Sequence, residues 1–198
     1  MRTVTTSIYT FSELSESAKN KVRESYSENR EPFMFTEDCE YYLKSLLPNS
    51  DLKVEYDLSY SQGDYFTILG EADLSDVLAK ISDNYTDKEL KYLRWFIKEW
   101  VGSVEISRGC YYGSDYFYRS KIDFAETVID EMKYNDIRAI REDLIRRFED
   151  DVYGYLSELC GNFKKDGYSF FYDYTDEDIK EWCECNNLEF YDDGRFYA

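Results

Sequence analysis

The sequence predicts a single α+β domain over residues 1–198, a mostly antiparallel sheet packed by several helices. Two patterns and one absence predict it. Leu52, Val54, Tyr56, Leu58 and Tyr60 alternate with Lys53, Glu55, Asp57 and Ser59, the period of a strand with one face in the core and one in water. Elsewhere apolar residues recur every three or four positions, as on a helix lying against a core. Two prolines and nine glycines leave no stretch that reads as a linker, and a 43% hydrophobic composition suffices for one sizeable core.

The elements follow in order. Arg2 to Tyr9 is rich in Thr, Val and Ile and reads as a strand; the helix after it carries Leu14, Ala18, Val22 and Tyr26 at i+4 spacing. A second helix over Thr36 to Leu47 places Cys39, Leu43 and Leu46 on one side and ends at Pro48-Asn49. The alternating strand near 52 to 60 turns through Ser61-Gln62-Gly63-Asp64, with Gly63 expected at positive φ, into a second extended run near 65 to 71. Leu74 to Ser82 is a short helix. Tyr85-Thr86-Asp87-Lys88-Glu89-Leu90-Lys91 and Tyr174-Thr175-Asp176-Glu177-Asp178-Ile179-Lys180 are near copies, each with Thr as N-cap and an acid three residues on. That is convergent capping chemistry and not a duplicated domain. The first of these helices carries Leu93, Trp95, Phe96, Ile97 and Trp100, expected to be largely buried.

Val101 to Arg108 and Ser114 to Phe124 read as a hairpin. The longest helix is expected from about Asp136 to Cys160, on the spacing of Ile137, Ile140, Leu144, Phe148, Val152, Leu156 and Leu159. A small hairpin around Asp192-Asp193-Gly194 closes the chain.

Charge bounds the function. Forty-two Asp and Glu oppose 24 Lys and Arg, a net of −18, alongside 21 Tyr and 13 Phe. Such a field favours basic protein surfaces and disfavours direct contact with nucleic acid or an anionic membrane. The chain has no histidine, which excludes Ser-His-Asp and Cys-His nucleophiles and His-carboxylate metal triads. Five cysteines, Cys39, Cys110, Cys160, Cys183 and Cys185, form no pair of CxxC motifs, so neither a disulfide framework nor a zinc ribbon is indicated. Cys183 is expected to pack and Cys185 to lie near the surface. No apolar run approaches membrane-spanning length and the N-terminus lacks a signal-peptide stretch, so a cytoplasmic protein is expected. No nucleotide-binding glycine loop, GxSxG or HExxH occurs, and the segment from Asp83 fails as a calcium loop because Arg94 stands where Glu is needed. No catalytic residue, cofactor or metal site is expected.

The charge is uneven. Lys133 to Arg147 holds five basic and three acidic residues, whose helical pairs Arg138 with Glu142 and Arg146 with Asp150 would neutralise that face. Glu149 to Asp193 holds fourteen acidic residues and three basic ones. Helical carboxylates one turn apart stand about 5 to 6 Å from each other, a spacing like that of neighbouring phosphates on a nucleic-acid strand. Glu149, Asp150, Asp151, Glu158, Asp173, Asp176, Glu177, Asp178, Glu181 and Glu184 are therefore candidates for a face that fits a groove built for DNA or RNA. Tyr153, Tyr155, Tyr168, Phe170, Phe171, Tyr172 and Tyr174 would supply anchors. The competing reading is a solvated face of an acidic protein.

Phe11-Ser12-Glu13-Leu14-Ser15-Glu16-Ser17-Ala18-Lys19-Asn20-Lys21-Val22-Arg23-Glu24-Ser25-Tyr26 resembles the F-x-E-L-x-x-x-A-K-x-K-A-x-x-x-Y opening of small acidic proteins encoded by bacteriophages. Ser59-Tyr60-Ser61-Gln62-Gly63-Asp64 is similar to their S-x-S-Q-G-D-G turn, and Asn187 to Arg195 to their closing E-Y-x-F-x-E-D-G-x, whereas Tyr65 departs from the family's Gly. The resemblance covers about a third of the chain and singles out Gln62 and Asp64 as further contact candidates. It implies a phage accessory protein, in a family sometimes labelled antitoxin-like, acting on host defence. The expected function is an anti-defence inhibitor, an anti-CRISPR among the options, whose partner is a host protein with a basic nucleic-acid-binding groove. An antitoxin-like partner of a basic toxin and a carboxylate-dependent hydrolase stand as alternatives.

Overall fold

In a computed structural model of the chain, described for residues 7–28, 32–59, 64–108, 120–137 and 140–197, helices combine with antiparallel sheets in the predicted α+β class. Contacts cluster into two compact units, Phe33–Asp166 and the joined ends Met1–Pro32 with Gly167–Ala198.

The central unit is built on a sheet of order β1-β2-β3-β4, comprising Asp51–Asp57, Tyr65–Asp73, Ser103–Arg108 and Ser120–Lys121. Strands β1 and β2 pair in the register Val54↔Ile68 and Tyr56↔Phe66, so the alternating apolar residues share one face. Gly70 sits opposite Leu52 at φ 115°, and a Cβ there would meet the Asp51 carbonyl oxygen at 2.2 Å. Only glycine fits that close approach. The turn residues Tyr60 to Gly63 lie outside the described residues, as do Arg2 to Thr6 of the expected first strand.

Helix α2 (Pro32–Leu46) covers this sheet with Phe35, Cys39 and Leu43, and Leu47 just beyond it is fully buried, whereas the expected Leu46 is only half-buried. Phe66 stacks on Phe163 of helix α6 (Glu142–Tyr172) with ring centroids 5.3 Å apart. A second aromatic layer joins Phe96 of α4 (Asp87–Phe96), Phe124, Tyr85 and Phe148. Short helix α3 (Leu74–Lys80) is capped by Asp73, whose carboxylate accepts from the backbone of Ser75 and Asp76.

The expected helix from Asp136 to Cys160 is corrected at both ends. Helix α5 (Ala125–Tyr134), absent from the sequence reading, stops at Asn135, and Asp136 takes φ 55° to turn the chain. Helix α6 then starts at Glu142 and runs twelve residues past Cys160, because Leu156, Cys160, Phe163 and Gly167 keep one buried stripe. Gly161, a costly helix residue, does not end it. Trp95 is 39% exposed because it lies about 200° around the helix from buried Leu93. Trp100 is half-buried, in a π-helical turn over Ile97–Val101.

Among the described residues, the cations of the basic stretch pair with carboxylates of other elements. Arg146 pairs with Glu126 at 2.9 Å and not with Asp150; Lys133 pairs with Glu142 at 2.9 Å; Arg147 reaches Glu89 at 2.8 Å. Arg138 lies outside the described residues.

The unit of joined ends contains helix α1 (Glu16–Glu28), helix α7 (Asp176–Cys185) and a hairpin of β5 (Glu189–Phe190) and β6 (Phe196–Tyr197). Its core gathers Phe11, Leu14, Ala18, Val22 and Tyr26 with Ile179, Cys183 and Phe190. Tyr9, the last residue of the expected first strand, forms an antiparallel bridge to Phe190. The hairpin turns at Gly194, φ 84°, where a Cβ would meet the Ala18 carbonyl oxygen at 2.5 Å.

Candidate partner-binding face

Helix α7 starts at a capping box. The Thr175 hydroxyl accepts from the Asp178 N–H at 3.3 Å, while the Asp178 carboxylate accepts from the Thr175 N–H at 2.6 Å. Three acids in the first turn complement the positive end of the helix. Ile179 and Cys183 point into the core, and Trp182 packs edge-on to Tyr26 at 5.1 Å. With about 100° of rotation per residue, Glu177, Glu181 and Glu184 fall on the opposite side, in water. Lys180 is the one cation on α7 and it is held by Glu177 at 3.1 Å.

Other acids flanking this stripe have structural partners. The Arg23 guanidinium donates to Asp176 through Nε at 2.8 Å and Nη2 at 2.6 Å, which lowers the Asp176 carboxyl from its ordinary value and raises Arg23. Asp178 is committed to the capping box. Asp173 is exposed just beyond the end of α6.

The remaining candidates belong to the central unit. Glu149 accepts from the backbone N–H groups of Phe124 at 2.5 Å and Ala125 at 2.7 Å, capping α5 from a neighbouring helix. Asp151 accepts from the Tyr85 hydroxyl at 2.5 Å. Asp150 and Glu158 are exposed. Asp64, expected to face a partner, is instead 4% exposed: its carboxylate accepts from Ser59 and its carbonyl oxygen from the buried Lys164 ammonium at 2.8 Å. Gln62 lies outside the described residues. Of the expected contact residues, Asp173 and the α7 acids belong to the unit of joined ends, and Asp64, Glu149, Asp150, Asp151 and Glu158 to the central unit.

Among the expected anchors, Tyr153 and Tyr172 are exposed, while Tyr155, Tyr168, Phe170, Phe171 and Tyr174 are half-buried. Tyr174 packs edge-on to Tyr26 at 5.3 Å and serves the core. The sequence reading missed Tyr41 and Tyr42 on α2, 80% and 51% exposed. The signal was available for Tyr41, which falls opposite the Phe35, Cys39 and Leu43 stripe, whereas Tyr42 lies at the edge of that stripe and packs edge-on to Phe163 at 5.9 Å.

Thiol chemistry finds no support in the buried cysteines. Burial pushes Cys39 and Cys160 up to about 12 and Cys183 up to about 11, so none of the three is a thiolate near neutral pH. Cys185 is exposed as expected, and Cys110 lies outside the described residues. Among the described residues no three Asp, Glu or Cys side chains are grouped to hold a metal, and no helix is long and apolar enough to cross a membrane. Comparison with protein-family models, with curated proteins and with solved structures finds no match to this chain.

Proposed function

We propose that this chain is a phage-encoded anti-defence inhibitor that binds a host nuclease or another nucleic-acid-binding defence protein, a CRISPR effector among the possible targets. In this reading α7 presents the contact face, the chain acts in the bacterial cytoplasm, and it performs no catalysis. The observation that carries the reading is the stripe of Glu177, Glu181 and Glu184, opposite the buried side of α7 and accompanied by a single, already paired cation. Successive carboxylates one turn apart offer a basic groove the charge spacing of a phosphate strand, and their attraction to it would be screened by salt.

Competition tests it. With a candidate target and its own DNA or RNA, the chain should displace nucleic acid, and its affinity should fall as salt rises from low to high ionic strength. Simultaneous binding of chain and nucleic acid, or an affinity independent of salt, would remove mimicry.

A further inference from the structure

Beside the acidic stripe, within the unit of joined ends, a cleft of about 340 Å³ opens between the turn at Thr10 to Ser12 and the C-terminal half of α7. Its apolar lining is Phe11 and Cys183, both buried, with half-buried Leu188. Two exposed carboxylates border it, Glu184 from α7 and Glu189 from β5. Lys180 also lines it, but its ammonium is engaged by Glu177 at 3.1 Å. Neither Glu184 nor Glu189 forms a direct ion pair among the described residues, and with the one cation of the lining, Lys180, bonded to Glu177, the mouth of the cleft keeps a net negative charge.

We propose that this cleft seats an arginine side chain presented by the partner protein. An arginine has the matching anatomy: an aliphatic stem that gains by lying on Phe11, Cys183 and Leu188, and a cationic fork at its end that carboxylates hold bidentately. Guanidinium is more weakly hydrated than ammonium, so arginine is drawn into a half-apolar site at lower desolvation cost than lysine. The volume is near the lower limit of small-molecule sites, about 300 Å³, and accommodates one long side chain. Glu184 belongs both to the rim and to the outer stripe of α7, so a partner seated on the stripe has its neighbouring arginine beside the cleft. The inference rests on the proposed α7 contact, and it adds the anchor that a purely charged face lacks.

The test uses ethylguanidinium as the probe and its uncharged isostere N-ethylurea as the control, each titrated into the 15N-labelled chain. Ethylguanidinium should shift the amides of Phe11, Glu184, Leu188 and Glu189 with saturable binding, and N-ethylurea should not. Glu184→Gln with Glu189→Gln should weaken ethylguanidinium by about tenfold, as expected for two charge-assisted contacts, with an unchanged melting temperature because both side chains are exposed. Equal shifts from both probes, shifts that spare these amides, or full affinity in the double variant would overturn the proposal. Guanidinium capture without displacement of nucleic acid from a target would leave the cleft standing and remove mimicry; displacement without capture would do the reverse.

Discussion

The carboxylate of Glu149 is a cap, placed where two backbone N–H groups at the start of α5 would otherwise lack a partner. Glu149→Ala should lower stability by about 1 to 3 kcal/mol, the cost of unsatisfied buried donors, read as a fall in urea midpoint. The neighbouring Asp150→Ala, at an exposed position, should stay within about 0.5 kcal/mol. Glu89 is a second carboxylate with structural duties. The Thr86 backbone N–H, then its hydroxyl, then Arg147 hold it well below its ordinary value, at about 2. Because the folded value lies below the unfolded one, the unfolded chain takes up the proton first as pH falls. The contribution is complete above the ordinary carboxylate range of about 4.5 and is lost as pH falls toward about 2. Unfolding free energy measured from pH 6 to pH 2 should therefore decline more shallowly in Glu89→Gln than in the parent chain; parallel slopes would contradict this assignment.

Among the elements, capping chemistry was the most legible signal. Both predicted boxes, at Thr86 and Thr175, form, and a third joins Thr10 to Glu13 in the turn before α1, where the sequence reading saw only a strand ending. Strand β2 depends on a glycine that the alternation pattern passes over. Gly70→Ala would place a methyl group against the Asp51 carbonyl at positive φ, and should cost about 2 kcal/mol or more through strain and the local loss of β1–β2 pairing. Its check is a thermal melt combined with amide exchange, which should accelerate in β1. An unchanged melt would mean that the strands separate there freely. Helix α6 shows the opposite limit: Ile137 and Ile140 share its period by sequence yet lie in the connection between the end of α5 and Glu142, where α6 begins.

At the scale of the whole molecule, the surplus of eighteen negative charges opposes compaction by self-repulsion, and on the α7 stripe only Glu177 offsets this, through Lys180 and the helix start. Glu177→Lys, Glu181→Lys and Glu184→Lys together move the net charge from −18 to −12, two units for each residue. The triple variant should stay folded with a melting temperature close to the parent's, since relief of net charge is offset by the loss of Glu177 from the helix start and from Lys180, and exposed charges contribute little individually, while losing its partner. Retained binding by the folded variant would move the interface to another face, and Tyr41 on α2, 80% exposed, would then be the first residue to change.

The sequence by itself determined the α+β class, the hydrophobic stripes of α1 and α2, the β1–β2 pattern, two helix starts and the closing hairpin. Each is a local matter: strand alternation, helical spacing and Thr-x-x-acid caps express themselves within a few residues. It also excluded imidazole chemistry, by composition alone. Only the tertiary structure decided which acids are available. Asp64, Glu149, Asp151, Asp176 and Asp178 read as equals of Glu177, Glu181 and Glu184 in the chain, yet the first five find donors on Ser59, Phe124 with Ala125, Tyr85, Arg23 and Thr175, while Glu177 meets only Lys180 on its own helix. Most of those donors lie distant in sequence, and a carboxylate's role is set by what folding brings beside it, which no periodicity records.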